Sequence, residues 1–186
     1  MGRLVMTTIC FIRHGQTDWN VEGRMQGQQQ VPLNDTGKQQ ASDCSLKLHN
    51  YEWDQLISSP LLRAVETAQI FSEQLNLPVQ IVQEFAEKGY GEAEGLLKHE
   101  IVSRFASGPI PDEECPQTLQ QRVLHGISEI CSRFPDQQLI VVTHGDIIAF
   151  IVDYCFDQRI IPKNASLTPI RFTDEGAQLL SMSQLT

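Results

Sequence analysis

The sequence predicts one α/β domain over residues 1–186, with three layers in which helices cover both faces of a mostly parallel mixed sheet. Two observations predict this fold class. Short apolar runs alternate along the chain with longer stretches of helical periodicity, which is the order expected of βαβ units. The run 139–142 is continuously apolar, as in a strand buried on both faces. No internal repeat or linker divides the chain, which indicates a single domain.

Composition limits where the protein works and what it binds. A net charge of -9 repels nucleic acid and anionic membranes on average. The five cysteines are an odd number without C-x-x-C spacing, which favours reduced thiols in a reducing compartment. No apolar run is long enough to span a membrane, and no signal-peptide pattern is present. We therefore expect a cytoplasmic protein that binds neither nucleic acid nor membranes, as a monomer or homodimer.

The first predicted strand covers residues 8–12, an apolar run rich in β-branched residues, and Gly15 marks the turn at its end. The following stretch, residues 16–33, is polar and shows neither a helical nor a strand period. We interpret it as a loop. A connection of this length without secondary structure is more often functional than idle.

Helices are predicted from caps and from apolar spacing. Asn34 offers an N-cap for a helix that reaches Tyr51. Ser59 and Pro60 predict a second helix, with a cap followed by proline at the first helical position, and this helix extends to Leu75. Apolar residues at helical spacing predict three more helices, over 97–105, 119–134 and 147–156.

The remaining strands complete the predicted sheet. Apolar runs predict strands at 56–58, 79–82 and 139–142, and the tail, residues 164–184, has the pattern of a hairpin. An acidic loop, residues 84–94, follows the strand predicted at 79–82. Strands that alternate with helices in this way are typical of a sheet covered on both faces.

Two histidines are predicted to lie at the same edge of this sheet. Arg13 and His14 follow the first strand, and His144 and Gly145 follow the buried strand 139–142. Ligands of open α/β sheets bind at the carboxyl ends of the strands. If the two strands are neighbours, both imidazoles therefore face the same ligand.

The charges around these histidines suit a phosphoryl group. A guanidinium offers a bidentate fork, and a neutral imidazole offers a nitrogen nucleophile. Phosphoryl transfer spreads negative charge over three oxygens, which Arg13, Arg63 and a partly cationic second histidine would neutralise. Gly15 would leave room for the anion at the backbone. A carboxylic acid from the acidic loop would protonate the leaving oxygen and then activate water.

Other chemistries fit the sequence less well. Two histidines with several carboxylates could hold a metal, but the sequence has no H-x-x-x-H, H-x-H or D-x-D spacing. Arg13 beside His14 would also repel a cation. No G-x-S-x-G elbow, P-loop or dinucleotide fingerprint occurs. We therefore expect no metal and no cofactor.

An ordered set of motifs runs along nearly the whole chain. The motifs are Arg13-His14-Gly15-Gln16-Thr17-Asp18-Trp19-Asn20, Gly23-Arg24-x-Gln26-Gly27, Ser58-Ser59-Pro60-Leu61-x-Arg63, Glu87-x-x-x-Gly91-x-x-Glu94-Gly95 and Val142-Thr143-His144-Gly145. With these motifs the chain resembles the histidine phosphatase superfamily, whose members have a phosphoglycerate mutase-like fold.

The resemblance implies a role for each motif. His14 would be the nucleophile that becomes phosphorylated, Glu87 the proton donor, and His144 a second phosphate-binding histidine. Arg13 and Arg63 would clamp the phosphoryl oxygens. Contacts with the substrate are implied for Asn20, Gln26, Gly27 and Gly145.

The resemblance also implies an activity. No large insertion separates Glu87 from His144, whereas the mutase branch carries one there, so the chain is similar to the phosphatase branch. We expect a metal-independent phosphatase that hydrolyses a small phosphomonoester through a phosphohistidine. Two alternatives stay open: a phosphoglycerate mutase, and a non-catalytic phosphate-binding or regulatory module. Glu84 is a second candidate for the acid, because it lies in the same acidic stretch.

Overall fold

A six-stranded mixed sheet lies at the centre of the computed structural model, which describes residues 6–106 and 108–185. The strands are β1 (Met6–Arg13), β2 (Gln55–Ser58), β3 (Val79–Ile81), β4 (Gln138–Thr143), β5 (Leu167–Thr173) and β6 (Gly176–Leu179). They lie in the order β3-β2-β4-β1-β5-β6. The first four of that order are parallel, β5 is antiparallel to β1, and β6 is antiparallel to β5. The mostly parallel mixed sheet predicted from the sequence is confirmed.

Helices cover the sheet on both faces. The helices of the described residues are α1 (Asp18–Glu22), α2 (Asp35–Leu48), α3 (Leu62–Leu75), α4 (Lys98–Phe105), α5 (Pro116–Arg133) and α6 (Gly145–Phe156). Those that pack on the sheet are α2, α3, α5 and α6. Ile9 and Phe11 of β1 point to one face, where α5 and α6 pack. Cys10 and Ile12 point to the other, where α2 and α3 pack. This alternation is the period of a strand, and it confirms the three predicted layers. No helix within the described residues is long and apolar enough to cross a membrane.

The pairing of β1 with β4 fixes the positions of the two histidines. Arg13 is opposite Thr143 in the parallel register, and the His14 amide donates to the Thr143 carbonyl at 3.0 Å. His14 and His144 are therefore the first residues beyond adjacent strands. The expectation that neighbouring strands bring both imidazoles to one edge is confirmed.

The stretch 16–33 differs from its prediction as a loop without a helix. It contains the five-residue helix α1, which begins at a capping box. The Asn20 amide donates to Thr17 Oγ1, and the Thr17 amide donates to Asn20 Oδ1, both at 3.1 Å. Gly23, with φ of 71°, ends the helix. A helix this short has too few apolar positions to show a period, so hydrophobic patterning cannot detect it.

The start of α3 also differs from its prediction. Leu61 takes the N-cap position without a side-chain cap, and the helix begins at Leu62 rather than at Pro60. The Ser59 hydroxyl lies 2.6 Å from Nε2 of His144, so it bonds to a histidine at the edge of the sheet instead of capping α3. Arg63 remains in the first turn of α3, as predicted. The other predicted boundaries agree within three residues, except that the C-terminal hairpin ends at Leu179 rather than near residue 184.

Gly15 is required by close packing against α2. A Cβ atom on Gly15 would overlap the backbone carbonyl of Gly37 in the first turn of α2. The Gly15 amide also donates to Thr67 Oγ1 on α3 at 3.0 Å. The turn after β1 is therefore held between two helices, and this packing is a reason for glycine that the sequence did not reveal.

We expect Gly15→Ala to lower the free energy of unfolding by about 1–3 kcal/mol, because the added methyl group has no space against α2. Urea denaturation measures this difference. Gly89→Ala is the matched control, since a Cβ atom there would meet its nearest neighbours at 3.6 Å, an ordinary contact. Equal losses of stability in the two variants would contradict the close packing at Gly15.

Candidate active site

A cavity of about 330 Å³ opens at the carboxyl edge of the sheet. Its walls come from the C-terminal end of β1, the N-terminal part of α6, the first turn of α3, and the loops after α1, β3 and α6. His144 lies fully buried beside His14, with 5.2 Å between the ring centroids. The structure thus brings all of the sequence-predicted site residues together. Those that line the cavity are Arg13, His14, Asn20, Gln26, Gly27, Arg63, Glu87 and Gly145.

His14 is held in one tautomer. Its Nδ1 lies 2.7 Å from the Gly15 carbonyl oxygen, which can only accept, so Nδ1 carries the proton. Its Nε2 accepts a hydrogen bond from Nε of Arg63 at 3.2 Å. Burial lowers the pKa of His14 well below its ordinary value, and the charges of Arg63 and Arg13 lower it further. His14 therefore presents an unprotonated Nε2 at neutral pH.

Arg63 is the most enclosed cation of the site, at 1% exposure. Its terminal nitrogens donate to the carbonyls of Gly27 at 2.8 Å and Gln29 at 2.9 Å. Burial lowers the pKa of Arg63 to about 10, so the group stays cationic at neutral pH. Gly27 has φ of 51°, and a Cβ atom on it would overlap the Glu94 carboxylate. Glycine at position 27 therefore fits both the left-handed backbone and the close contact with Glu94.

Arg13 supplies a second guanidinium. It donates to the Pro162 carbonyl at 2.7 Å, while its buried Nε has no hydrogen-bond partner among the described residues. Burial lowers the pKa of Arg13, and the carboxylates of Glu87 and Asp146 raise it. A Cβ atom on Gly145 would lie 3.4 Å from the same Nε. Gly145 therefore leaves Arg13 the space to reach the cavity.

His144 is neutral rather than partly cationic. Burial lowers the pKa of His144 well below its ordinary value, and the charge of Arg63 lowers it further. The expectation of a partly cationic second histidine is therefore wrong, because this imidazole lies in a dry environment among cations. Its Nε2 bonds with Ser59, and its Nδ1 has no partner among the described residues.

Of the two glutamates that the sequence offered as the acid, Glu87 lines the cavity. Burial raises the pKa of Glu87 to about 7, and the neighbouring charge of Asp146 acts in the same direction. Its Oε1 accepts from the Lys88 amide at 2.9 Å. Glu84, the other candidate, lies against Gly126 of α5 and does not line the cavity. Between these two glutamates, the lining of the cavity favours Glu87 as the candidate acid.

Arg122 holds the backbone around Glu87. It makes two hydrogen bonds to the Glu114 carboxylate, at 2.6 and 2.9 Å. Its remaining donors reach the carbonyls of Glu84, Ala86 and Glu87 at 2.7, 2.7 and 3.1 Å. The pair of Arg122 and Glu114 therefore fixes the acid-bearing loop to α5.

Sequence reasoning missed Tyr90 and Asp146, which both line the cavity. The Tyr90 hydroxyl donates to the Asp146 carboxylate, and burial with the Asp146 charge raises the pKa of Tyr90. Asp146 follows directly after the motif that ends in His144 and Gly145, so its position beside that motif could have marked it as a site residue. The apolar residues Ile160 and Ile161 also line the cavity, and no sequence pattern marks them.

The predicted contacts of Asn20 and Gln26 with a substrate remain predictions. Asn20 lines the cavity, but its Oδ1 accepts from the Thr17 amide at 3.1 Å and from Asn164 Nδ2 at 3.2 Å. Gln26 is 8% exposed, and its Oε1 has no partner among the described residues. Within those same residues, no group of three or more His, Cys, Asp or Glu side chains is placed to hold a metal ion.

Comparison with known proteins identifies what the chain is similar to. A family model described as histidine phosphatase superfamily (branch 1) matches residues 9–184. A Bacillus subtilis (strain 168) protein named as the uncharacterized phosphatase PhoE is 36% identical over 177 residues, covering 91% of each chain. The probable phosphoglycerate mutase GpmB of Salmonella arizonae is 27% identical over 187 residues, covering 91% of this chain and 86% of the mutase.

Solved structures show the same architecture. The mycobacterial glucosyl-3-phosphoglycerate phosphatase, in complex with VO3, superposes with a TM-score of 0.83 at 25% identity, covering 93% of this chain and 96% of that one. The match extends over nearly all of the sheet and its helices. The resemblance and the fold class predicted from the sequence are both confirmed.

We expect nitrogen-15 NMR of the imidazoles to show His14 neutral, with its proton on Nδ1, at pH 6. The physical reason is the combination of burial, two nearby guanidinium groups and the Gly15 carbonyl. The protein unfolded in urea is the control, because a solvated histidine is mostly protonated at that pH. A folded protein in which His14 is an imidazolium at pH 6 would contradict this arrangement.

Proposed function

The chain belongs to the histidine phosphatase superfamily, branch 1, and from that premise we propose that it hydrolyses a small phosphomonoester, without a metal, through a phosphoryl intermediate on His14. One observation carries the proposal. The unprotonated Nε2 of His14 accepts from the buried Arg63 inside a cavity that Glu87 also lines. Nucleophile, cation and acid are thus present at one place.

The first step forms a nitrogen–phosphorus bond. The Nε2 lone pair of His14 attacks the phosphorus atom while the bond to the ester oxygen breaks. Arg63 Nε then exchanges its hydrogen bond from Nε2 to a phosphoryl oxygen, and Arg13 Nε supplies another donor. Two guanidinium groups are well suited to the charge on the equatorial oxygens, which is the main task of a protein in phosphoryl transfer.

Glu87 would serve both halves of the reaction. With a pKa of about 7 it is substantially protonated at neutral pH, so it gives its proton to the leaving oxygen. The resulting carboxylate takes a proton from water, and the water oxygen attacks the phosphohistidine. Phosphate leaves, His14 is regenerated, and Glu87 is protonated again.

His144, as a neutral imidazole, would donate a hydrogen bond to a phosphoryl oxygen. The Ser59 hydroxyl accepts from the Leu61 amide at 3.3 Å, and its own hydrogen is then free to donate to His144 Nε2. In that tautomer the proton of His144 lies on Nδ1, the nitrogen without a partner among the described residues. A phosphoryl oxygen would satisfy this buried N–H, and the same holds for Nε of Arg13.

The cellular setting follows from the cysteines. All five are unpaired, which supports a reducing, cytoplasmic environment. A small phosphorylated molecule is the proposed binding partner, and the monomer or homodimer remains a prediction.

A mutase would share the phosphohistidine but return the phosphoryl group to a second hydroxyl. This alternative stays open because the Salmonella relative is named as a probable phosphoglycerate mutase. Product analysis separates the two reactions, because hydrolysis releases free phosphate and a mutase yields an isomeric phosphate ester. A non-catalytic binding module would give neither product, and the cavity-facing acid Glu87 argues against it.

We expect His14→Ala to reduce phosphate release from an alkyl phosphate to the uncatalysed level, since no other nucleophile replaces Nε2. Glu87→Gln should lower kcat by about 10²–10⁴-fold, the usual worth of a general acid. The matched controls are His125→Ala, an exposed histidine, and Glu84→Gln. The proposal fails if His14→Ala turns over like the wild type.

We expect kcat/KM to fall as pH rises through about 7, because the acid form of Glu87 is lost there. Asp146→Asn should move this falling limb to lower pH, since the negative charge that raises the pKa of Glu87 is removed. The asparagine Oδ1 can still accept from Tyr90. Asp153→Asn, on the same helix outside the cavity, is the control. An unmoved limb in Asp146→Asn would show that Asp146 does not act on Glu87.

A further inference from the structure

An apolar surface borders the mouth of the catalytic cavity. Ala149 of α6, Ile160 and Ile161 line one side of the cavity, and we call these three residues the apolar shelf. Ile161 is 93% exposed. A single exposed isoleucine needs no explanation, but contiguous apolar residues at a binding site indicate something that covers them.

The apolar shelf connects the catalytic cavity to a neighbouring groove. A groove of about 450 Å³ shares all three shelf residues and continues along α6 past Phe150 to Asp153 and Arg159. A molecule with its phosphoryl group beside His14 can therefore extend over the apolar shelf into this groove.

The backbone after the apolar shelf is tied to the phosphate site. The carbonyl of Pro162 accepts from Arg13 at 2.7 Å. Asn164 Nδ2 donates to the His14 carbonyl at 3.0 Å, and the Ala165 amide donates to the Arg13 carbonyl at 2.9 Å. The distance from the phosphoryl group to the apolar shelf is therefore set by the fold, as a leaving-group subsite requires.

The charges at the mouth disfavour an anionic leaving group. Asp146 and Tyr90 line the same cavity, so a second negative group on the substrate would meet a carboxylate. Arg24 also lines the mouth, but its Nε is 2.9 Å from the Glu22 carboxylate and it donates to the Gly95 carbonyl. Over the apolar shelf itself, a polyhydroxyl group would lose water against Ile161 without gaining a hydrogen bond from the three shelf side chains.

We propose that the apolar shelf binds the leaving group, and that the substrates are phosphomonoesters of apolar alcohols with an alkyl or arylalkyl chain. This inference rests on the proposed phosphatase function. It assigns Ile161 as a specificity-determining residue that touches only the alcohol part of the ester.

A homologous series tests the apolar shelf. Ethyl, butyl and hexyl phosphate have leaving groups of nearly equal basicity, so differences in kcat/KM report contacts with the chain. For wild type we expect kcat/KM to rise about two- to fourfold per methylene that is covered. Ile161→Ser should lower the hexyl-to-ethyl ratio by at least about threefold. Val102→Ser, at an apolar residue of α4 that is 62% exposed, is the matched control and should keep the wild-type ratio.

Binding of the corresponding alkyl phosphonates separates the two proposals. Their dissociation constants, measured by calorimetry, should tighten with chain length in wild type and less so in Ile161→Ser. Hydrolysis with no chain-length dependence overturns the apolar shelf and leaves the phosphatase function intact. If phosphonates tighten with chain length but no ester is hydrolysed, the shelf is supported and the phosphatase function is overturned.

Discussion

The buried guanidinium of Arg63 is the constraint on which the rest of the site depends. A cation removed from water costs several kcal/mol unless hydrogen bonds and opposite charge compensate it. Two carbonyls of the 27–29 loop and the lone pair of His14 provide the hydrogen bonds. The nearest acid, Glu87, is itself raised in pKa to about 7. Positive charge therefore exceeds negative charge around His14, and a bound phosphoryl group would restore the balance.

One physical cause, burial, assigns the ionisation states that the chemistry needs. It lowers the pKa of His14 and His144 and raises the pKa of Glu87. Desolvation disfavours the charged form of each group, so the bases are neutral and the acid is protonated in the same pH range. A nucleophile and a proton donor can thus coexist without opposing each other. The pairing of β1 with β4 and the loop fixed by Arg122 hold these groups at the edge of the sheet.

Sequence alone predicted the parts of the site that local patterns determine. Apolar runs located β1 and β4, and parallel pairing then brought His14 beside His144. Long-range contacts escaped this reasoning, because Tyr90 and Asp146 meet across the cavity with no pattern to link them. The neutral state of His144 was also missed, since burial is a property of the packed structure. The helix α1 was too short to show a period, and the place of Ile161 at the cavity mouth required the fold.

Covalent trapping tests the central claim most directly. Glu87→Gln incubated with p-nitrophenyl phosphate, whose leaving group needs no proton donor, quenched in base and digested, would be mapped by mass spectrometry for a phosphoryl group on each histidine. With the acid/base group removed, hydrolysis of the intermediate slows, so we expect the phosphoryl group on His14 and on no other residue. Phosphate release by the wild type with His14 never modified at any time point, or with the phosphoryl group on a different side chain, would contradict the mechanism.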